Sequence, residues 1–345
     1  MFIVDINDIE NILKDYHIFS KIIQITELQR YDYENSNSEQ KKVRLIIKAD
    51  LEEFSSLVIR LKNESDVTIE LIESQCEFAD TLSNNGVATP YQYKICDKFA
   101  KWYSINGYDV IATVEEFAEN EIKTVDEVTA RKTGKLLAAM HNISEANNLH
   151  IHNGVLFNFF ERNELFDFET FSSIKSGLED KDRVIFDSIV NKYNTYMNIL
   201  SPLKECKKYA VQGDISNCNL YQNASEEIGV FDFNRSGDNI LFCDAVMQSV
   251  FEARLMDYPK NKDNDFEVKI LMSFLDGYCS IRPFSEYEKK FFPYLYSIIN
   301  AFWSSDIRWD KDSLLNQYKK GDTEGVHRRL IKIHEHLALN DKKLS

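Results

Sequence analysis

The sequence predicts an α+β protein of two lobes, with a small, mostly antiparallel sheet and one helix in the first lobe and helices in most of the second. Short segments in which apolar and polar residues alternate occupy much of the chain before residue 119, and such alternation is typical of strands. Beyond that point, longer segments carry apolar residues at helical spacing. We therefore assign residues 1–118 to an N-terminal lobe and residues 119–345 to a C-terminal lobe.

The N-terminal lobe is predicted to begin with a short helix over 8–16. Three strand segments follow within 20–62, with the sequences IIQITEL, VRLIIKA and SSLVIRL. A helical pattern then begins at Asp66 and Thr68 and ends at Asn84-Asn85-Gly86, which is a typical C-terminal signal. Two further strand candidates are YQYKIC with its continuation and YDVIATVEEF. This order indicates an antiparallel sheet that carries one helix.

The C-terminal lobe is predicted to be mostly helical. Helices are expected over 126–142 and 179–200, where apolar residues recur at helical spacing. Between residues 206 and 232, the two short apolar segments KKYAVQ and EIGVFDF flank a polar turn. The remainder, over 244–340, is predicted to be largely helical.

Composition restricts the class of partner. The formal net charge is −15, and so acidic a chain repels both phosphate backbones and anionic lipid surfaces. Nucleic acid and membranes are therefore disfavoured as partners. The six cysteines lack metal-binding spacing, and the N-terminus lacks the basic and apolar regions of a signal peptide. These features predict reduced thiols and a cytoplasmic location.

Three polar residues, Asp214, Asn219 and Asp232, are the candidates for a catalytic site. Asp214 is followed by Asn219 five residues later, and Asp232 comes directly after the apolar residues Val230 and Phe231. Phosphoryl transfer needs a carboxylate to orient or deprotonate the attacking hydroxyl, together with hard oxygen ligands for Mg²⁺. A hairpin between two short strands could bring the three side chains together.

These residues resemble the motifs of the aminoglycoside phosphotransferase family, which includes choline kinase relatives and has the protein-kinase-like fold. The family carries His-Gly-Asp-x-x-x-x-Asn followed by Ile-Asp-Phe, and this chain has Gln212-Gly213-Asp214 with Asn219, then Phe231-Asp232-Phe233. Two further segments resemble family helices; they are Gly134 to His141 and Phe274 to Tyr278.

The resemblance implies a role for each matching residue. Asp214 is expected to be the catalytic base, Asn219 and Asp232 the Mg²⁺ ligands, and Asp244 a brace for the catalytic loop. Gln212 replaces the family's usual His, which orders that loop, so reduced activity is one expectation. A second departure is Asn234, which stands where Gly, Asp or Glu is more common in the family.

A kinase-like lobe also needs a cation on its third strand to bind the nucleotide phosphates, and a helix carboxylate usually orients it. The preferred cation is Arg60, and Lys62 is the alternative because it shares the same strand face. Counting back from the helix end places the family's Glu at Gln75. Glu73 and Glu77 flank this position, and Glu73 is chosen as the carboxylate. Ser36 lies in the polar loop where a phosphate-covering turn is expected.

The end of the fifth predicted strand is expected to form the hinge that meets the purine, through the backbone of Glu116, Phe117 and Ala118. Backbone contacts leave no sequence signature, so ATP and GTP both remain open as phosphoryl donors.

The acceptor is expected to be a small molecule with a hydroxyl group. A row of carboxylates would suit a polycation such as an aminoglycoside. Trp303 and Trp309 would instead suit a quaternary ammonium such as choline, and an amino-acid alcohol or a sugar are further alternatives. A catalytically weak, kinase-shaped binding or structural protein is the alternative from another class. The acidic candidates for the acceptor site are Asp257, Asp276, Glu286, Asp306 and Asp310.

Overall fold

The computed structural model describes residues 2–32, 42–161, 163–255 and 265–338. The chain divides into two compact units. The first comprises Met1–Ile122, Ile151–Asn153 and Cys218–Gly237, and the second comprises Lys123–His150, Gly154–Asn217 and Asp238–Ser345. The segment Cys218–Gly237, which the sequence analysis assigned to the C-terminal lobe, therefore belongs to the first unit.

The first unit is built on a five-stranded antiparallel sheet with the strand order β1-β2-β3-β5-β4. A separate hairpin pairs β7 with β8. The elements of this unit are α1 (Ile6–Asp15), β1 (Ile22–Asp32), β2 (Val43–Leu51), β3 (Leu57–Asn63), α2 (Ile69–Asn84), β4 (Ala100–Ile105), β5 (Tyr108–Glu116), β7 (Leu220–Gln222) and β8 (Ile228–Val230).

The two faces of the central strand β3 have different environments because side chains alternate along a strand. Leu57, Ile59 and Leu61 are buried in the apolar core that also contains the inner face of α1. The alternate residues Arg60 and Lys62 point to the other face, and both are buried. On the neighbouring strand β5, Ile111 belongs to a small apolar cluster with Ile72 of α2. The sheet therefore places two cations on the face that α2 covers.

One strand expectation was wrong in its position. The segment Tyr91–Cys96 forms only isolated bridges, including one between Gln92 and Glu115, and the strand β4 lies in its continuation. Cys96 has a φ of 54°, a left-handed conformation that interrupts an extended strand. The remaining predicted strands and helices of this unit are present.

The second unit is mostly helical, as predicted. Its short strands β6 and β9 pair with each other. The elements of this unit are α3 (Glu127–Ala146), α4 (Phe168–Ser173), α5 (Asp180–Leu200), β6 (Tyr209–Val211), β9 (Gly237–Asn239), α6 (Leu241–Leu255), α7 (Phe266–Ile281), α8 (Glu286–Ala301), α9 (Leu314–Lys320) and α10 (Thr323–His336).

Helices α3 and α7 pack closely because each has a glycine at the contact. A Cβ atom on Gly134 would lie 2.0 Å from the carbonyl oxygen of Phe274, and one on Gly277 would lie 2.0 Å from the carbonyl oxygen of Arg131. Both distances are far below van der Waals contact, so only glycine permits this approach. Across the described ranges, no helix combines the length and the apolar composition that a membrane crossing requires.

Candidate active site

The hairpin of β7 and β8 brings Asn219 and Asp232 to the same end. Asn219 directly precedes Leu220, Asp232 follows Val230 by two residues, and Leu220 and Val230 are paired across the hairpin. The backbone N–H of Phe231 donates to the carbonyl oxygen of Asn219 at 3.0 Å. This local pairing explains why two side chains thirteen positions apart in the sequence can act at one place.

The Asp232 carboxylate lies among donors and cations of the first unit. Its Oδ1 accepts the backbone N–H of Asn234 at 3.3 Å and also the side-chain amide of that residue, and it lies 3.6 Å from Nη1 of Arg60. Burial alone would raise the pKa of Asp232, but the charges of Arg60 and Lys62 outweigh burial and hold the pKa below its ordinary value. The carboxylate is therefore ionised, as a metal ligand must be.

Arg60 is fixed by a carboxylate from the neighbouring strand β5. Its Nε and Nη2 donate to Oε1 of Glu115, at N···O distances of 2.8 Å and 2.7 Å. The other oxygen of Glu115 accepts the side-chain amide of Gln92 at 2.8 Å. Burial works against the charge of Arg60, but the attraction of Glu115 and Asp232 prevails and raises the pKa of the guanidinium. The third nitrogen, Nη1, is buried and has no hydrogen-bond partner.

Lys62 lies two residues further along the same strand face. Its ammonium group donates to Oδ1 of Asn234. Burial, with the nearby charge of Arg60, lowers the pKa of Lys62 to about 8. Asn234 thus contacts both Lys62 and Asp232, and this departure from the family pattern is a structural link within the cluster.

Helix α2 contacts the cluster through Gln75 and not through Glu73. The amide of Gln75 donates to the carbonyl oxygens of Asn234 at 3.0 Å and of Ser236 at 3.4 Å. Glu73, chosen from the sequence as the partner of the strand cation, accepts instead the backbone N–H groups at the start of β4, those of Phe99 at 3.2 Å and Ala100 at 2.8 Å.

Two residues of the expected hinge already bind protein partners through their backbone. The N–H of Glu116 donates to the carbonyl oxygen of Tyr91 at 2.9 Å, and the N–H of Phe117 donates to that of Ser56 at 2.8 Å. Ala118 follows the end of β5 and is partly buried. Ser36, expected to cover the phosphates, lies outside the described residues.

In the second unit, Asp214 stands in a tight turn that Gln212 organises. Gly213 has a φ of 81°, a conformation that glycine adopts readily. The side-chain oxygen of Gln212 accepts the backbone N–H of Asp214 at 2.8 Å, and Gln212 is fully buried. The Gln212 side chain therefore fixes the turn that carries Asp214, and Asp214 itself is partly exposed.

Asp244 belongs to a buried hydrogen-bond network. One carboxylate oxygen lies 3.1 Å from Nε2 of His141, whose Nδ1 lies 2.9 Å from the hydroxyl of Tyr278. The other oxygen accepts the side-chain amide of Asn239 at 3.1 Å. Asn239 ends β9, which pairs with β6, and β6 leads directly to Gln212. The network is thus connected, through a strand pair, to the loop that carries Asp214.

The acidic residues suggested for the acceptor site are mostly engaged in ion pairs. Asp306 contacts three cations, since Arg254, Arg329 and Lys332 all lie within 3.3 Å of its oxygens. Asp276 pairs with Arg131 at 3.0 Å, and Glu286 pairs with Lys289 at 2.7 Å.

The two tryptophans suggested for the acceptor site differ in exposure. Trp303 is buried beneath the Arg254 guanidinium, whereas Trp309 is half exposed beside Arg308. Asp257 lies outside the described residues. The ion pairs of Asp276 and Glu286 lie at the surface, since these side chains are 56% and 86% exposed, and Asp310 is exposed as well.

Glu115 was not predicted as the partner of Arg60, and Gln92 was not predicted as a site residue. Strand periodicity places Glu115 on the same face of β5 as Thr113, but the pairing of Thr113 with Arg60 is known only from the structure. Within the described ranges, no group of three or more His, Cys, Asp or Glu side chains is arranged to hold a metal. A Mg²⁺ ion bound through Asn219, Asp232 and a ligand's phosphates would not need such a group.

Comparisons with known proteins identify the fold. No protein-family model and no curated protein matches the chain. Among solved structures, the chain is similar to amicoumacin kinase hAmiN in complex with AMP-PNP, Ca²⁺ and Ami, with 14% identity, a TM-score of 0.57, and coverage of 94% of this chain and 93% of that one. It is also similar to the microcompartment-associated aminopropanol kinase, with 13% identity, a TM-score of 0.57, and coverage of 97% and 96%.

A third similar structure is an aminoglycoside phosphotransferase from Alicyclobacillus acidocaldarius, with 10% identity, a TM-score of 0.50, and coverage of 90% of this chain and 92% of that one. Identities this low establish the fold alone. The fold is therefore the protein-kinase-like fold, and the fold prediction is confirmed.

Proposed function

We propose that this protein is a small-molecule kinase that transfers the γ-phosphoryl group of ATP or GTP to a hydroxyl of a small acceptor. The observation that carries the proposal is the hairpin end that holds both Asn219 and Asp232, where the ionised Asp232 lies beside two buried cations, Arg60 and Lys62. Oxygen ligands next to fixed positive charge are what a magnesium nucleotide requires. The fold supports this proposal, since the similar structures are named as kinases or phosphotransferases.

The first unit would bind the nucleotide. Arg60 and Lys62 are the cations for its phosphates, and Asn219 and Asp232 are the residues that would hold Mg²⁺. When bound, the metal ion supplies neutralisation of the charge that develops on the phosphoryl oxygens. Arg60 is preorganised for this role, because Glu115 holds two of its nitrogens before any ligand arrives.

Asp214 would act as the base toward the acceptor. The acceptor oxygen attacks the γ-phosphorus while the bond from that phosphorus to the β–γ bridging oxygen breaks, and the hydroxyl proton passes to Asp214. No covalent enzyme intermediate is needed. The hydrogen bond from the Asp214 backbone to Gln212 supports this role, because it fixes the loop that presents the carboxylate.

The acceptor we favour is an alcohol that also carries an amine. Two of the similar structures are named for aminopropanol and for aminoglycosides, and both kinds of compound combine amino and hydroxyl groups. The net charge of −15 favours a cationic acceptor over an anionic one. A panel of aminoglycosides, small amino alcohols, choline and neutral sugars would identify the acceptor class.

The decisive experiment measures phosphoryl transfer from ATP and GTP, with Mg²⁺, to that panel. Asp214→Asn is expected to lower turnover by about a hundredfold or more, since it removes the base, while nucleotide affinity is retained. Asp180→Asn is the control, because the Asp180 side chain is 98% exposed. Full turnover in Asp214→Asn would refute the assignment of the base.

Nucleotide binding is tested separately. Asp232→Ala is expected to abolish the Mg²⁺-dependent rise in melting temperature with nucleotide, whereas the exposed-residue control Asp66→Ala retains it. If wild type binds nucleotide with Mg²⁺ but transfers no phosphoryl group to any member of the panel, the protein is a kinase-shaped binding protein and the kinase proposal fails.

A further inference from the structure

The strand cation of this protein has its counter-ion in the sheet. Glu115 lies on β5, on the same sheet face as Arg60, and one of its oxygens accepts from both Nε and Nη2 of Arg60. Gln92 holds the other oxygen at 2.8 Å. All three residues are buried. A buried carboxylate with both oxygens engaged is a rigid partner, since any movement would break charge-assisted hydrogen bonds.

Helix α2 has a different task in this structure. At the position where the kinase helix carboxylate is expected, it carries Gln75, whose amide donates to the carbonyl oxygens of Asn234 and Ser236. Its neighbour Glu73 binds the start of β4. Helix α2 therefore forms hydrogen bonds with the segment that follows Asp232, whereas strand β5 provides the carboxylate that binds Arg60.

One nitrogen of Arg60 has an ion-pair partner but no hydrogen bond. Nη1 is buried without a hydrogen bond, although the guanidinium is charged. Its nearest described carboxylate oxygen is Oδ1 of Asp232, at 3.6 Å, which is beyond hydrogen-bond distance. An unpaired buried donor on a charged group is costly, so this nitrogen indicates a ligand that supplies an anionic oxygen.

We propose that Glu115, clamped by Gln92, is the positioning residue that aims Nη1 of Arg60 at a phosphate oxygen of the nucleotide. This inference rests on the proposed function. It means that a carboxylate of strand β5, and not one of helix α2, orients the strand cation. Among the described residues, neither Gln75 nor Glu73 forms a hydrogen bond or an ion pair with Arg60, so no polar group of these two side chains positions the guanidinium.

The test is the affinity for AMP-PNP with Mg²⁺, measured by isothermal titration calorimetry. Glu115→Gln is expected to raise Kd about tenfold, because an amide holds the guanidinium less firmly than a carboxylate does. Glu73→Gln is expected to leave Kd unchanged, and so is the exposed helix control Glu70→Gln. The opposite pattern, in which only Glu73→Gln weakens binding, would overturn the inference and restore the helix carboxylate.

A double-mutant cycle separates positioning from a merely structural role. If Glu115 acts through Arg60, then Glu115→Gln adds no further loss of affinity once Arg60→Met has removed the guanidinium. An equal loss in both backgrounds would contradict the inference. If Glu115→Gln folds poorly, Gln92→Leu is the alternative variant, since it keeps the charges of both Arg60 and Glu115. Gln92→Leu is expected to raise the Kd for AMP-PNP by a smaller factor than Glu115→Gln does. An unchanged Kd would contradict the proposed role of Gln92 in holding Glu115.

The same titrations distinguish a failure of the proposed nucleotide site from a failure of the proposed role of Glu115. Wild-type protein that fails to bind AMP-PNP with Mg²⁺ would overturn the nucleotide site and this inference together. Wild-type binding that persists unchanged in Glu115→Gln would overturn only the positioning role, and the nucleotide site would stand.

Discussion

Glu252 on α6 provides the sharpest prediction about stability. Its side chain is completely buried, and neither carboxyl oxygen has a hydrogen-bond partner. Burial raises the pKa of Glu252 well above its ordinary value, and the nearby Thr133 hydroxyl opposes this only weakly, since it donates its own proton to the carbonyl oxygen of Thr129. The folded protein therefore keeps Glu252 protonated over a pH range in which the unfolded chain releases the proton.

The sign of the pH dependence follows from proton linkage. The pKa of Glu252 is higher in the folded state, so its contribution to stability is complete below the unfolded pKa and is lost as pH rises through the folded pKa. Between the pKa of Glu252 in the unfolded chain and its pKa in the folded protein, the free energy of unfolding falls by about 1.4 kcal/mol for each pH unit. Glu252→Gln keeps the size and a neutral polar group but cannot titrate, so this loss disappears.

The expected result is that Glu252→Gln is more stable than wild type by a margin that widens by about 1.4 kcal/mol between pH 5 and pH 6. Urea unfolding can be followed by tryptophan fluorescence in a Trp102→Phe background. This background removes a tryptophan of the first unit and retains Trp303, which is buried in the second. The exposed residue Glu324 provides the control variant Glu324→Gln, whose margin should stay constant.

A margin for Glu252→Gln that does not change with pH would refute the reasoning, because it would mean that the carboxyl group is already ionised when the protein is folded. A variant that is less stable than wild type at every pH would show that the carboxyl group makes a stabilising interaction that an amide cannot replace.

Two further predictions follow from contacts in the second unit. Gly134→Ala should lower the free energy of unfolding by about 2 kcal/mol or more, measured by urea titration, because its Cβ would lie 2.0 Å from the carbonyl oxygen of Phe274; an unchanged midpoint would contradict this. Gln212→Ala should lower the turnover number about tenfold with little change in nucleotide affinity, because it removes the acceptor of the Asp214 N–H. Gln212→His should retain most of the activity. An equal loss in both variants would show that ordering the loop is not the role of Gln212.

Local sequence patterns were sufficient to predict most elements of the fold. Alternation identified β1, β2, β3 and β5, and helical periodicity with an end signal at Asn84-Asn85-Gly86 located α2. The position of β4 could not be read in this way, because the apolar segment Tyr91–Cys96 has the composition of a strand. Its outcome is decided by a left-handed residue, Cys96, and by tertiary hydrogen bonds such as that from the Tyr93 N–H to the Val114 carbonyl.

In the candidate site, too, the contacts that were predicted are local in the sequence, and the contact that was not predicted joins distant strands. Asn219 and Asp232 were predicted to meet because a hairpin lies between them, and a hairpin is a local structure. Glu115 was not predicted as the partner of Arg60, because this pairing depends on β5 lying beside β3, and the two strands are separated in the sequence by α2 and β4. Sequence spacing carries no record of such a register.

The contacts of Asn234 show why a departure from a family motif can be read only with its neighbours. As a sequence feature, Asn234 stands where Gly, Asp or Glu is more common. In the structure its side-chain oxygen accepts from Lys62, its side-chain amide donates to Asp232, and its carbonyl oxygen accepts from Gln75. A carboxylate at this position would place a second negative charge beside Asp232, whereas the amide can accept from a cation and donate to a carboxylate at once. Gln75 and Asn234 both depart from the family pattern, and the Gln75 amide donates to the Asn234 carbonyl oxygen, so these two departures are best understood together.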